Sequence, residues 1–303
     1  MEYVDAKTIL SGWRDSDGDT GGWFGCNYNM NLYRGCCHGC IYCDSRSQCY
    51  GIDRFDTVRA KKDALAILER ELKSRRRRGM VGIGAMSDSY NPFEKDERLT
   101  QGALELLEKY GFGVMIDTKS DLITRDIGLL SAIAEKYAAV VNFTITTADD
   151  ALCRRIEQRV CPTSARLEAM RKMSGTGISV GVILTPVLPF INDTEENLLA
   201  VAHLAAEAGA RWVFPWQSFG VTLRQNQRLW YYDRLDEQFP GLRRRYTATY
   251  GERYECTVPD NRRLMAVFAE QCRKLGLLWR IEDINAYIRS TLPPSPVQLS
   301  LFD

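Results

Sequence analysis

The 303-residue sequence carries almost no net charge: 40 Lys and Arg against 39 Asp and Glu leave a formal +1. No global field draws it to nucleic acid, so any such affinity must come from local patches. No stretch approaches the roughly 18 apolar residues that argue a membrane span, and no membrane association is expected. Met1-Glu-Tyr-Val-Asp5 is acidic, without the apolar run of a secretory signal, and no lipidation signal opens the chain. Ten cysteines would suggest disulfides in an oxidising compartment. The expectation is instead a cytoplasmic protein with reduced thiols. No internal repeat is evident. Apolar residues, at 45%, are ample for a buried core, and the length suits one large α/β domain or one domain plus a smaller appendage.

The densest chemistry lies in Asn31-Leu-Tyr-Arg-Gly-Cys-Cys-His-Gly-Cys-Ile-Tyr-Cys43. Cys36, Cys40 and Cys43 stand at C-x3-C-x2-C. Three thiolates this close can hold three corners of an iron–sulfur cube and leave the fourth iron open. Structural zinc is the competing reading, and it wants four ligands. Cys26, Cys37, Cys49 or His38 could supply the fourth, but zinc motifs usually pair two C-x2-C knuckles and no second C-x2-C occurs.

Around this stretch the pattern is regular. Residues 1–25 are polar and glycine-rich and read as a flexible lead-in. Asp15, Asp17 and Asp19 alternate like calcium-loop ligands, but Thr20 and Cys26 stand where the turn glycine and closing glutamate belong. Asn27–Tyr33 reads as a first strand delivering the cysteine loop at its C-terminal end. Residues 56–78 read as a helix with an apolar stripe at Ala64, Leu65, Ile67, Leu68 and Leu72, ending in an arginine run before Gly79. That run reads as a solvated face matching the negative end of the helix dipole. Strands near 80–86, 113–117, 138–146, 178–184 and 211–216 then alternate with helices near 99–109, 122–137, 164–174 and 194–208. Alternation with short connections argues a parallel sheet with right-handed crossovers. Six such strands predict an α/β fold, a partial (β/α)6 TIM-type barrel, with its chemistry at the C-terminal strand ends.

From Phe219 the pattern changes. Residues 219–290 read as a small, mostly helical appendage: a helix over 225–239, a tyrosine-rich piece to Tyr254, a helix over 261–274 and a further turn or two over 281–288. Arginine beside Trp230, Tyr231 and Tyr232 could track a nucleic-acid backbone and stack bases, though aromatics at helical spacing also fit a core. Residues 291–303 are a proline-rich spacer and a tail. Gln298, Leu299, Ser300, Leu301 and Phe302 resemble the short peptide by which bacterial repair and replication proteins dock on the sliding clamp.

The cysteine segment with Asp44-Ser-Arg46 resembles the spore photoproduct lyase family of radical SAM proteins. So do Met86-Ser-Asp-Ser-Tyr-Asn-Pro-Phe-Glu94, Thr118-Lys119, Phe143-Thr-Ile-Thr146 and Gly181-Val-Ile-Leu-Thr-Pro186. The likeness covers about residues 25–220 and makes 26–218 the radical SAM core. It is closest to uncharacterised members of that family rather than to the lyase itself. It implies a [4Fe-4S] cluster on Cys36, Cys40 and Cys43, with S-adenosylmethionine (SAM) on the open iron. Tyr42 would lie beside the adenine, and Ser87 and Asp88 would meet the methionine ammonium. Lys119 would pair with the carboxylate, and Thr144 and Thr146 would line the ribose. A zwitterion needs an acceptor and a cation, so the chemistry agrees.

One departure matters. The lyase's hydrogen-donating cysteine corresponds to Ala85, and Asp44 replaces one of its two tyrosines, Tyr42 matching the other. The same radical relay is not intact. Tyr90, Cys37 and Cys256 are candidate substitutes, with Tyr42 and Tyr90 the candidate catalytic side chains. The expected function is a radical SAM enzyme whose 5′-deoxyadenosyl radical abstracts hydrogen from DNA, fed by a flavodoxin- or ferredoxin-type electron donor. An RNA, peptide or metabolite substrate is the alternative, and a non-enzymatic, zinc-stabilised clamp adaptor is the third reading.

Overall fold

A computed structural model describes residues 1–12 and 22–292. The chain opens with β1 (Glu2–Val4), β2 (Leu10–Gly12), β3 (Tyr28–Met30), β4 (Tyr33–Arg34) and β5 (Arg59–Lys61). Helix and strand then alternate: α1 (Ala64–Ser74), β6 (Met80–Ile83), α2 (Glu94–Glu97), α3 (Leu99–Tyr110), β7 (Gly113–Thr118), α4 (Ile127–Lys136), β8 (Ala139–Thr144), α5 (Asp150–Ile156), α6 (Thr163–Met173), β9 (Ser179–Ile183), α7 (Glu195–Glu207) and β10 (Val213–Phe214). The last stretch holds β11 (Gly220–Thr222), α8 (Gln225–Gln238), α9 (Leu242–Tyr250), β12 (Glu255–Thr257), α10 (Asn261–Leu275) and α11 (Ile281–Thr291).

The main sheet runs β10-β9-β8-β7-β6-β3-β2, and all pairs from β3 to β10 are parallel. These are the six strands expected of a partial barrel. Two-residue alternation sorts their side chains into two layers. Val81, Val114, Ile116, Val141, Val180 and Val182 face outward and pack beneath the helices. Met80, Met115, Val140, Ile183, Trp212 and Phe214 face inward with Phe24. Both faces are covered, as parallel sheets require. Trp212 fits the barrel interior because Gly181 has no side chain: a Cβ there would lie 2.1 Å from the indole.

The structure departs from the pattern in several places. Residues 59–61, expected inside a helix, form β5 between β1 and β4. Arg59 is held there by the Asp53 carboxylate at 3.1 Å and the Asp53 carbonyl at 2.6 Å. Two parts of the expected flexible lead-in are strands, β2 extending the main sheet and β1 pairing with β5. Glu71 fixes the turn into β2, accepting from the Ile9 and Leu10 amides at 3.0 and 2.8 Å. Asp15, Asp17, Asp19 and the clamp-like tail, Gln298–Phe302, lie outside the described residues.

Residues 219–290 serve the core rather than hang from it. Leu264, Phe268 and Cys272 of α10 join the outer layer. Ile284 and Ile288 of α11, longer than expected at 11 residues, pack with Phe24 and Trp212 into the barrel interior. The Leu278 backbone bonds to Arg211 and Val213, extending the sheet edge. The tyrosine-rich piece is helix α9. Tyr231, Tyr232, Tyr246 and Tyr250 are buried, the core reading of these aromatics rather than the base-stacking one.

Candidate active site

The barrel interior turns polar toward its C-terminal end. Above Trp212, Asn142 is fully buried, accepting from Trp212 Nε1 at 2.9 Å and donating to Asp117 Oδ1 at 2.9 Å. Burial pushes the Asp117 carboxyl up to about 6, with the Asn142 and Trp23 hydrogen bonds opposing it. Asp117 forms the floor of a cavity of about 750 Å³ whose wall includes Cys36, Cys40 and Cys43.

The cysteine loop is fixed at its start by Gly35, whose φ is +81° and where a Cβ would lie 2.4 Å from the Thr57 carbonyl. The Cys36 amide donates to the Phe55 carbonyl at 2.8 Å. Cys36, His38 and Cys40 turn into the cavity, while Cys37 and Gly39 do not line it. Two segments distant in sequence then clamp the loop. Ile41 N donates to Ile156 O and Arg159 N to His38 O, both at 3.0 Å. From the other side, Gln227 Nε2 reaches the Tyr42 carbonyl at 3.1 Å, and Arg224 Nε reaches Asp44 Oδ1 at 3.2 Å.

Beneath the loop lies a buried ion pair. Arg166 Nη1 is 2.6 Å from Glu157 Oε2, and the two side chains are 0% and 1% exposed. Arg166 also donates to the Thr144 and Cys161 carbonyls at 2.8 and 3.0 Å. The Tyr42 hydroxyl donates to Glu157. Burial alone would raise the Glu157 carboxyl, but Arg166 and Lys119 hold it below its usual range.

Burial pushes the Cys36 thiol up to about 12, and also raises Cys40 and Cys43. Among the described residues, no three His, Cys, Asp or Glu side chains gather closely enough for a single metal ion. The three thiols line one cavity. The other zinc-ligand candidates scatter: His38 is on the wall, and Cys26, Cys37 and Cys49 are not.

Ser87, Asp88, Lys119 and Thr144 also line the cavity. Asp88 accepts from Thr118 Oγ1 at 2.8 Å and from the Tyr90 and Lys119 amides at 2.9 and 2.8 Å. That fills three of a carboxylate's roughly four acceptor positions. His38 Nδ1 stands 3.6 Å from Asp88 Oδ2, beyond hydrogen-bond reach, and burial lowers the imidazole pKa despite that neighbour. The Lys119 ammonium has no ion-pair or hydrogen-bond partner among the described residues and lies 5.9 Å from the Tyr42 ring centroid. Burial works against its charge, but Cys40 and Glu157 hold its pKa above the ordinary value.

Two expected site residues lie elsewhere. Thr146 is 1% exposed and off the wall, because β8 ends at Thr144. Tyr90 is also 1% exposed and off the wall, its hydroxyl donating to Asp126 at 3.0 Å. Of the candidate hydrogen donors, Cys256 borders the cavity but is fully buried, its Sγ 3.8 Å from the Arg253 carbonyl, and Cys37 does not border it. Sequence reasoning missed Glu157, Arg166, Asp117, Trp216 and Arg224. Asp117 alone carried a local signal, its place at the end of a parallel strand.

A thiol-walled cavity at the C-terminal ends of six parallel strands is the architecture of an enzyme that holds its cofactor inside a partial barrel. The Radical SAM superfamily description matches residues 30–202, and the chain belongs to that superfamily. Like its members, it is an enzyme that uses a [4Fe-4S] cluster and S-adenosylmethionine. This overturns the zinc-adaptor reading. An uncharacterised protein of Mycobacterium tuberculosis is 32% identical over 230 residues, 74% of this chain and 67% of that protein. One of Methanocaldococcus jannaschii is 30% identical over 174 residues, 56% of this chain and 64% of that protein. The fold is similar to spore photoproduct lyase complexed with dinucleoside spore photoproduct (TM-score 0.63, 17% identity, 91% of this chain and 80% of that one). A mutant lyase with bound AdoMet and the same dinucleoside gives TM-score 0.61 at 16% identity, covering 88% and 79%.

Removing Glu157 strands Arg166 as an unpaired buried charge. Glu157→Ala is expected to cost about 3–5 kcal/mol, against at most about 1 kcal/mol for Arg224→Ala at its half-exposed pair with Asp44. Denaturant unfolding of the two variants checks this, and equal losses would contradict it.

Proposed function

We propose that Cys36, Cys40 and Cys43 ligate the cluster and that the enzyme acts on DNA, at a damaged or modified base. When bound, the reduced cluster supplies the electron that cleaves S-adenosylmethionine to a 5′-deoxyadenosyl radical, which abstracts hydrogen from the substrate. The chain's own residues orient the cofactor. Lys119 offers its unpartnered ammonium to the methionine carboxylate, while Asp88 and Ser87 face the amino group. Tyr42, pinned by Glu157, presents its ring beside the adenine, and Thr144 borders the ribose. Trp23 and Trp216, with ring centroids 5.0 Å apart, line one side of the cavity.

The observation that carries the DNA reading is the cavity itself: its fold relative holds a dinucleoside, and here the mouth joins Arg224 to Tyr254 and Tyr50, with Trp216 49% exposed beside them. Aromatic faces beside Arg224, whose Nε is held by Asp44 at 3.2 Å, suit a base. The tail adds a route to DNA, since Gln298–Phe302 fits a peptide that anchors in an apolar groove of the bacterial sliding clamp. With Ala85 in place of the lyase's donor, the hydrogen atom returned to the substrate must come from another group.

Two experiments test this reading. Deuterated DNA incubated with the reduced holoenzyme should pass label into 5′-deoxyadenosine; label arriving only from RNA, peptide or small-molecule pools would reject DNA as substrate. Immobilised sliding clamp should capture the full chain and lose it when Gln298–Phe302 is removed. Capture indifferent to that deletion would break the link through the tail.

A further inference from the structure

At the cysteine loop the chain has one side on the cavity and the other against a neighbouring segment. Along Cys36–Cys40 the odd partners, Cys37 and Gly39, do not line the cavity, while Cys36, His38 and Cys40 do. Cys37 is only partly buried. Outside Gly39 lie Gln158 and Arg159: a Cβ on Gly39 would be 3.7 Å from Gln158 Oε1 and 4.0 Å from Arg159 Cδ. The same segment is bonded to the loop through the Arg159 amide and the Ile156 carbonyl. The outer wall of the cysteine loop is therefore the run Arg154–Arg159.

That wall is basic. Arg154, Arg155 and Arg159 are exposed, and none has an ion-pair partner among the described residues. Arg155 spends its guanidinium on the Gln238 carbonyl and on the Phe239 ring, 4.0 Å away, which leaves its charge uncompensated. The charges beside them cancel. Arg46 pairs with Asp56 at 2.5 Å, and Arg234 pairs with Glu237. A chain of formal charge +1 thus gathers three cations, without ion-pair partners among the described residues, on the segment that backs the cysteine loop.

We infer that the Arg154–Arg159 face is the docking surface for an acidic one-electron carrier protein that reduces the cluster through the Cys37–Gly39 turn. The inference rests on the cluster being held by Cys36, Cys40 and Cys43. Reduced carrier gives up one electron, going for a flavin from anionic hydroquinone to neutral semiquinone. The oxidised cluster takes up that electron, and no bond or proton changes hands. Complementary charge speeds such an encounter and orients it without requiring a large interface, as in other transient redox contacts. The cavity mouth stays open to substrate, because the face lies on the opposite side of the loop.

The test uses anaerobic holoenzyme and a purified acidic bacterial flavodoxin. Binding is measured directly, and cluster reduction is followed by the loss of visible absorption, with photoreduced 5-deazariboflavin as a small neutral donor. Arg154→Glu combined with Arg159→Glu should weaken flavodoxin binding at least tenfold and slow flavodoxin-driven reduction to match, while reduction by deazariboflavin stays as in the wild type. Arg76→Glu combined with Arg77→Glu, at the C-terminal end of α1 and so at the far end of the barrel, should leave both unchanged. Wild-type affinity retained in the first variant, an equal loss in the second, or no flavodoxin binding by the wild type overturns the docking face. A wild-type holoenzyme whose cluster deazariboflavin cannot reduce would instead overturn the ligand assignment beneath it.

Discussion

The site depends on the buried pair Glu157–Arg166. An ion pair at 0% and 1% exposure is costly to desolvate and gives little net stability. What it contributes is definition. Arg166 ties the end of β8, through the Thr144 carbonyl, to the segment that backs the cysteine loop. Glu157 then takes the Tyr42 hydroxyl, so one carboxylate couples the barrel to the loop. Without it the loop would keep only its backbone bonds to Phe55, Ile156 and Arg159 and the contacts from Arg224 and Gln227. Three thiols must stand at fixed separations to share one cluster, and a loop without secondary structure cannot set those separations alone.

A second gradient complements this clamp. The barrel interior is apolar at the bottom, around Phe24, Met115, Val140 and Trp212, and turns polar through Asn142 and Asp117 to the cavity. The apolar end is closed by α11, so helices from the C-terminal third seal a barrel built by the first two thirds. The cavity thus sits at one end of the barrel, over the Asp117–Asn142 pair. Lys119 stands in that space as a cation without an ion-pair partner among the described residues.

The barrel was legible because its strands are short apolar runs between helices of clear period, and because six of them alternate without interruption. The cysteine loop was legible from its spacing, and Asp88 and Lys119, which line the same cavity, from the family resemblance. Strand β5 was not, since Arg59 and Lys61 carry no apolar alternation and are held by Asp53 and by edge pairing. Glu157 and Arg166 were invisible for a different reason: their partner Tyr42 is 115 residues away from Glu157, and a charged residue in sequence reads as solvated. The C-terminal third misled because its aromatics suit either a core or a nucleic-acid face. Only packing distinguishes the buried Tyr231 and Tyr246 from the exposed Tyr254.

The central claim is that three cysteines on one cavity wall hold a cluster whose fourth iron is open to S-adenosylmethionine. Electron paramagnetic resonance of the reduced, anaerobically reconstituted protein, recorded with and without S-adenosylmethionine, tests it most directly. The account predicts about four irons per chain and a cluster signal whose g values shift when S-adenosylmethionine is added. A signal indifferent to it, or a colourless protein carrying one zinc, would contradict the account.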